Sequence, residues 1–184
     1  MSSLRASELP SSLPSAKTHA GFAPAVAPAH TPLTVLIVVP SLDVGAADAG
    51  AIELVRALTA AGHRAIVASR AGRLVADVTA AGGEFVALDL ASNNPIVMLR
   101  NAGALIRIAR ERNCDAIHAL GRSAAWSAYL AARLSRVPFV TSWYKGFRDQ
   151  SIFKHLYNGI MARGDRVVAA SEQTLRCEAL TACF

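Results

Sequence analysis

The sequence predicts an α/β domain of the Rossmann-like, doubly wound type, built on a parallel β-sheet. Three observations indicate this fold. Several short runs of Val, Ile, Leu and Ala are continuously apolar, as expected for strands that are covered on both faces. Segments with helical apolar spacing separate these runs, and many of them end at glycine. Strands and helices therefore alternate, which is typical of parallel strands joined by crossover helices.

The first half of the domain follows the order strand, helix, strand, helix, strand. "TVLIVVP" is the first buried strand, and the helix after it carries Ile52, Val55 and Leu58 on one face. Gly62 lies where this helix would end in the left-handed conformation. The elements are predicted as strand 34–40, helix 48–63, strand 64–70, helix 72–83 and strand 84–90.

A longer helix opens the second half. Asn94 is placed to cap it, and Pro95 occupies its first turn, where a missing N–H costs nothing. The apolar residues expected to face the core are Leu99, Ala102, Ile106 and Ala109. Three arginines lie off this stripe: Arg100, Arg107 and Arg110. The elements are predicted as helix 92–113, strand 114–120, helix 123–135, strand 138–144, helix 151–164 and strand 165–171.

The 184 residues are enough for one domain, which we place at 33–170. Residues 1–32 are rich in Ser, Pro and Ala and lack a compact hydrophobic region, so we expect a disordered tail rather than a signal peptide. Residues 171–184 are expected to begin an interdomain segment. Their irregular apolar spacing leaves a non-native end as the alternative.

Cysteine content and hydropathy favour a cytoplasmic protein. The three cysteines, Cys114, Cys177 and Cys183, are odd in number and lack the close pairing of metal ligands. No apolar run reaches the roughly 18 residues of a transmembrane helix.

The positive charge is concentrated in the second half of the domain. The net charge is +6, and residues 100–166 hold twelve Lys and Arg against four Asp and Glu. Such a basic region indicates either a solvated surface or an anionic partner. Of the possible partners, we expect an anionic substrate or peripheral contact with an anionic membrane, and no nucleic acid.

Ligands of doubly wound sheets bind at the carboxyl ends of the strands, near the switch in strand order. Four segments fall there: the loop 41–48, the stretch from His118 to Arg122, the stretch from Trp143 to Arg148, and Ser171 with Glu172. The loop is neither GxGxxG nor a P-loop, yet the helix that follows could hold a phosphate at its N-terminus. The alternatives are a purely structural glycine turn, a packing role for His118 and a surface position for Lys145.

Several of these segments resemble family 4 glycosyltransferases, which have the GT-B fold of two Rossmann-like domains facing across a cleft. "VLIVVPSLDVGAADAGAIELVRALTAAGHRAIVAS" is similar to the opening of that family. "DAIHALGRSAAW", "PFVTSWYKG" and "ARGDRVVAASE" resemble three later strand ends in the same order. The resemblance covers residues 34–173.

The resemblance implies retaining transfer of a sugar from a nucleotide-sugar to an acceptor, with no cofactor and no essential metal. The N-terminal domain binds the acceptor, and a C-terminal domain holds the nucleotide and supplies a pair of glutamates. Bacterial relatives build lipopolysaccharide and other surface glycans at the inner membrane face. The acceptor is therefore expected to be a surface glycan or lipid-linked.

Carried over by position, the resemblance also implies site residues. Lys145 occupies about the place of a family histidine, and we expect Lys145 and His118 to be catalytic. The residues expected to bind substrate are Gly45, Ala46, Asp48, Arg122, Trp143, Gly146, Ser171 and Glu172.

The chain carries one Rossmann-like domain where the family has two. We therefore expect a truncated protein that is inactive alone or needs a separate C-terminal half. Two other functions remain open. An NADP-dependent oxidoreductase would use Arg70 and Arg73 near a 2′-phosphate, and a non-catalytic fragment would bind anionic surfaces.

Overall fold

A computed structural model of the chain describes residues 31–144 and 157–169. It contains a six-stranded, entirely parallel sheet in the order β3-β2-β1-β4-β5-β6, which confirms the predicted fold class. The strands are β1 Thr34–Ser41, β2 Arg64–Arg70, β3 Glu84–Ala87, β4 Ala116–Ala119, β5 Phe139–Trp143 and β6 Arg166–Ala169. The helices are α1 Ala46–Ala60, α2 Val75–Ala80, α3 Pro95–Glu111, α4 Arg122–Ser135 and a short 3₁₀ helix Gly159–Arg163.

The core lies on both faces of β1, at the centre of the sheet. Leu36 and Val38 pack with α3 and α4 on one face, while Ile37 and Val39 pack with α1 on the other. All four side chains are fully buried. Burial on both sides explains why this strand is apolar throughout rather than alternating.

Local features at the helix ends agree with the sequence. The side-chain oxygen of Asn94 accepts a hydrogen bond from the Ile96 N–H at 2.9 Å, and Pro95 is the first residue of α3. Gly62 has a φ of 78°, as expected for the residue that ends the α1 segment. Ile52 and Val55 of α1 are buried.

The predicted inward stripe of α3 is wrong at Leu99, whose side chain is 65% exposed. The face toward the core is rotated and consists of Asn101, Ala102, Leu105, Ile108 and Ala109. Asn101 is buried because its amide donates to the Asp89 carbonyl oxygen at 2.6 Å. This tertiary hydrogen bond makes an asparagine part of the inner face and turns Leu99 outward.

Other helices and strands are shorter than predicted. β3 ends at residue 87 rather than 90, and α2 begins at residue 75 rather than 72. Residues 159–163 form a 3₁₀ helix where the sequence predicted an α-helix, and residues 151–156 of that prediction lie outside the described residues. The predicted tail also lies outside them, apart from its last two residues. None of the described helices is both long and apolar enough to span a bilayer.

We expect opposite effects from alanine at two helical glycines. Gly103→Ala in α3 should stabilise the fold by up to about 1 kcal/mol, because its Cβ would meet no atom within 4 Å and alanine favours helix. Gly50→Ala in α1 should destabilise it by about 1–2 kcal/mol, because its Cβ would lie 2.6 Å from Tyr144 Cε1 and would also overlap Cζ and the hydroxyl oxygen of the same side chain. Denaturant unfolding measures both changes.

A double variant isolates the cause. In a Tyr144→Ala background, Gly50→Ala should become stabilising, because the ring that it displaces is gone. A cost at Gly50 that persists without the Tyr144 ring would show that another contact is responsible.

Candidate functional site

A cavity of about 660 Å³ opens at the carboxyl edge of the sheet. It is bounded by the β1–α1 loop, the segment before α3, the β4–α4 turn and the end of β5, with Tyr157 and Asn158 on another side. Five of the predicted site residues line it: Gly45, Ala46, Asp48, Arg122 and Trp143. Four others, Lys145, Gly146, Ser171 and Glu172, lie outside the described residues, so their roles stay predictions.

The cavity lies where the strand order changes direction. β1 pairs with β2 on one side and with β4 on the other, so chain connections leave the two strands in opposite directions along the sheet. The ends of these strands lead into α1 and α4. Both helices therefore begin at the cavity.

Neither helix has a side-chain cap at its start. The N-cap residues are Gly45 for α1 and Gly121 for α4, and neither can offer a side-chain acceptor to the first-turn N–H groups. Two helix N-termini thus direct partial positive charge toward one cavity, and the Asp48 carboxyl in the first turn of α1 offsets part of it. This arrangement favours an anionic group there.

The β1–α1 loop is held by Asp48. This side chain is 7% exposed, and its Oδ2 accepts a hydrogen bond from the Asp43 N–H at 3.1 Å. Burial raises the pKa of Asp48, while that hydrogen bond acts in the opposite direction. Gly45 has an extended backbone with φ −160°, a conformation open to any residue. A glycine at this position therefore relieves no backbone strain, but a Cβ here would lie 3.3 Å from Asp48 Oδ2 and would press on the side chain that holds the loop.

Arg122 is the cationic side chain of the cavity among the residues that the structure describes. Its Nη1 donates to Asn158 Oδ1 at 2.8 Å, and Asn158 is buried. Tyr157 next to it donates its hydroxyl to Asn93 Oδ1 at 2.6 Å. These bonds tie residues 157 and 158 to α4 and to the segment before α3. They fix the wall that carries the guanidinium.

His118 does not line the cavity but lies one residue behind it. Its Nε2 is 2.7 Å from the hydroxyl oxygen of Ser142, which does line the cavity and is 6% exposed. Burial lowers the pKa of His118 to about 4, so the ring is neutral at pH 7. A neutral imidazole in this place orients the Ser142 hydroxyl rather than carrying charge.

Ser142 and Tyr144 both line the cavity; the sequence analysis did not predict Ser142, and it included Tyr144 only as part of the stretch from Trp143 to Arg148. Side chains alternate between the two faces of a strand, so Ser142 and Tyr144 share one face and Trp143 points to the other. Trp143 is 3% exposed, and its indole N–H donates to the Met161 carbonyl oxygen at 3.1 Å. The alternation of side chains along "TSWY" could have indicated that Ser142 and Tyr144 face the same way.

Within residues 31–144 and 157–169, no three His, Cys, Asp or Glu side chains lie together as a metal site.

Comparisons with known proteins agree with this geometry. The family model described as Glycosyltransferase Family 4 matches residues 48–177, more than half of the chain. No sequence among curated proteins matches significantly.

Solved structures of longer proteins resemble the chain. A glycosyltransferase from Rickettsia africae ESF-5 is 31% identical, with a TM-score of 0.68 over 80% of this chain and 39% of that one. Anabaena Alr3699/HepE in complex with UDP-glucose is 17% identical, with a TM-score of 0.66 over 81% and 40%. Acinetobacter baumannii MurG is 16% identical, with a TM-score of 0.60 over 78% and 42%. The chain thus spans about two fifths of the length of each.

We expect His118 to make the stability of the fold depend on pH. The unfolded chain protonates this histidine near pH 6.5, whereas the folded protein resists protonation until about pH 4. Its contribution is therefore complete above pH 6.5 and is lost as the pH falls toward 4, by about 3 kcal/mol in total.

The His118→Gln variant removes this titration. Between pH 7 and pH 4, its unfolding free energy should fall by less than that of the wild type, as measured by urea unfolding across the range. Equal pH slopes for the two proteins would contradict the burial of a neutral imidazole.

Proposed function

We propose, from the premise that this chain belongs to glycosyltransferase family 4, that it forms the acceptor-side half of a retaining glycosyltransferase. The observation that carries the proposal is the cavity at the switch point. Among the described residues it combines two helix N-termini without side-chain caps, Arg122, the Asp48 carboxyl and several hydroxyl and amide groups. A nucleotide-sugar needs the positive potential at its diphosphate, and an acceptor sugar needs the neutral hydrogen-bonding groups.

In the proposed reaction, a hydroxyl oxygen of the acceptor forms a bond to the anomeric carbon of the donor sugar. The bond from that carbon to the diphosphate breaks, and the hydroxyl proton passes to a diphosphate oxygen. The configuration at the carbon is retained. Negative charge grows on the leaving group, so N–H groups at the start of α1 would stabilise the transition state more than the ground state.

The remaining polar groups suit an acceptor glycan. Ser142 is held by His118, and Asn158 is held by Arg122, so both are preorganised before a ligand arrives. We assign them to acceptor hydroxyls, and the nucleotide to a second Rossmann-like half that carries the glutamate pair. A hexose donor and a surface-glycan or lipid-linked acceptor of lipopolysaccharide type complete the proposal. Such an enzyme would work in the cytoplasm at the inner membrane face.

The oxidoreductase alternative finds no support at the site. Arg70 and Arg73, which would meet a 2′-phosphate, do not line the cavity. The family match is to glycosyltransferases. A non-catalytic anion-binding fragment remains a distinct outcome of the activity test below.

We expect the 184-residue chain alone to transfer no sugar. It spans about two fifths of its structural relatives, and transition-state stabilisation needs groups from both sides of the cleft. Release of UDP or GDP from UDP-sugars and GDP-mannose, with a glycan acceptor present, measures this. Turnover by the chain that disappears in Arg122→Ala would overturn the requirement for a second half.

Joined to the second half of the Rickettsia africae glycosyltransferase, the chain should gain turnover. In that assembly, Gly45→Val should lower kcat/KM about a hundredfold, because the side chain would keep the diphosphate from the α1 N–H groups and would press on Asp48, whose Oδ2 lies 3.3 Å from the added Cβ. Ala60→Val adds a similar group at the exposed end of the same helix and is the matched control. A wild-type rate in Gly45→Val would make the glycine loop purely structural.

A further inference from the structure

Tyr144 closes one side of the cavity by reaching from the end of β5 to α1. Its ring is half-buried and packs with the apolar cluster beneath α1, which includes Leu120 directly after β4. Because β4 lies between β1 and β5 in the sheet, the ring passes over the end of β4 to reach α1. Both Leu120 and Tyr144 line the cavity. The ring therefore forms a wall between the first turns of α1 and the end of β5.

Gly50 is the point of α1 that admits this ring. A Cβ at Gly50 would lie 2.6 Å from Tyr144 Cε1 and would overlap Cζ and the hydroxyl oxygen as well, so any larger residue there would displace the ring. By contrast, a Cβ at Gly103 in α3 would meet no atom within 4 Å. The glycine at position 50 is thus matched to the tyrosine at position 144, and the pair fixes how close the ring lies to the helix.

The ring lies next to a group that we assign to the acceptor. Ser142 precedes it by two residues on the same face of the chain, and the Ser142 hydroxyl oxygen is 2.7 Å from His118 Nε2. Burial raises the pKa of the Tyr144 hydroxyl, and a hydrogen bond with Ser142 opposes this with a smaller effect, so the wall is uncharged at pH 7. An acceptor hydroxyl bound at Ser142 would therefore bring the neighbouring substituents of its sugar against a neutral aromatic side chain.

We propose that Tyr144, set in place by Gly50, limits the size of the acceptor sugar, and that the cavity takes a sugar ring with no bulky group beside the hydroxyl that reacts. The inference rests on the proposed function, because it concerns the acceptor of the same site. A side chain that limits size acts by exclusion, so its removal changes the order of preference among acceptors. A tyrosine that only supports the fold would affect all acceptors alike.

Binding of methyl glycosides to the 184-residue chain, measured by saturation-transfer NMR, tests the proposal. The probes are methyl glucoside, methyl galactoside and methyl mannoside, each unmodified and with a benzyl ether at each hydroxyl in turn. The wild type should bind at least one ether of its preferred sugar about tenfold less tightly than the unmodified glycoside, because that benzyl group meets the ring. Tyr144→Ala should bring the same ether to within about twofold of the unmodified glycoside, because the benzyl group can occupy the space that the ring leaves.

Three further variants separate the ring from other causes. Tyr144→Phe keeps the ring and should keep the wild-type ratio of the two dissociation constants. Gly50→Ala displaces the ring from α1 and should raise that ratio, whereas Gly50→Ala combined with Tyr144→Ala should behave like Tyr144→Ala alone. Gly103→Ala makes the same change at an exposed position of α3 and is the matched control. An unchanged ratio in Tyr144→Ala, or an equal weakening of all the glycosides, would overturn the proposal.

The same glycosides, used as acceptors for the chain joined to the Rickettsia africae second half, distinguish failure of this inference from failure of the proposed function. Selective binding that Tyr144→Ala abolishes, without transfer to any glycoside, would contradict only the glycosyltransferase proposal. Transfer with the same acceptor preference in the wild type and in Tyr144→Ala would contradict only the role of the tyrosine. Absence of both binding and transfer would contradict both.

Discussion

The close approach of β1 and β4 at their carboxyl ends determines the rest of the site. A Cβ at Gly121 would lie 2.7 Å from the Pro40 ring, and Gly121 has a φ of 155°, which side chains rarely adopt. A glycine is therefore required for both reasons at this point. Because the two strands end side by side here, α1 and α4 both start at this edge of the sheet, on opposite faces. The cavity is the space that remains beyond this contact.

Local rules in the sequence predict much of this fold. Asn94, Pro95 and Gly62 act on the residues next to them, so their roles were visible without a structure. Leu99 was placed wrongly because its orientation depends on Asn101, whose partner is a carbonyl oxygen twelve residues earlier in the chain. Apolar spacing alone treats an asparagine as a surface residue. A buried amide that is satisfied by tertiary structure reverses that assignment.

The site residues also divide into those that the local sequence predicts and those that depend on tertiary contacts. Gly45 and Arg122 follow strands directly, so the rule for strand ends was enough to locate them. The pairing of His118 with Ser142 links β4 to β5, and it depends on which strands are neighbours and on their register. A single sequence does not contain that information. His118 was assigned as a catalyst from the family resemblance and from its place at a strand end, although its ring lies behind the cavity. Its catalytic role stays a prediction, and the geometry gives it a hydroxyl to orient.

The described side chains around the cavity are better suited to binding and electrostatic stabilisation than to proton transfer. His118 is neutral at pH 7 because burial lowers its pKa, and the carboxylate of Asp48 accepts the N–H of the loop that it holds. Arg122 presents its guanidinium at the wall of the cavity. In the proposed reaction, the leaving diphosphate itself takes the acceptor proton, so no acid or base from this domain is required. The fixed dipoles and the one guanidinium would then act on the charge that develops as the sugar departs.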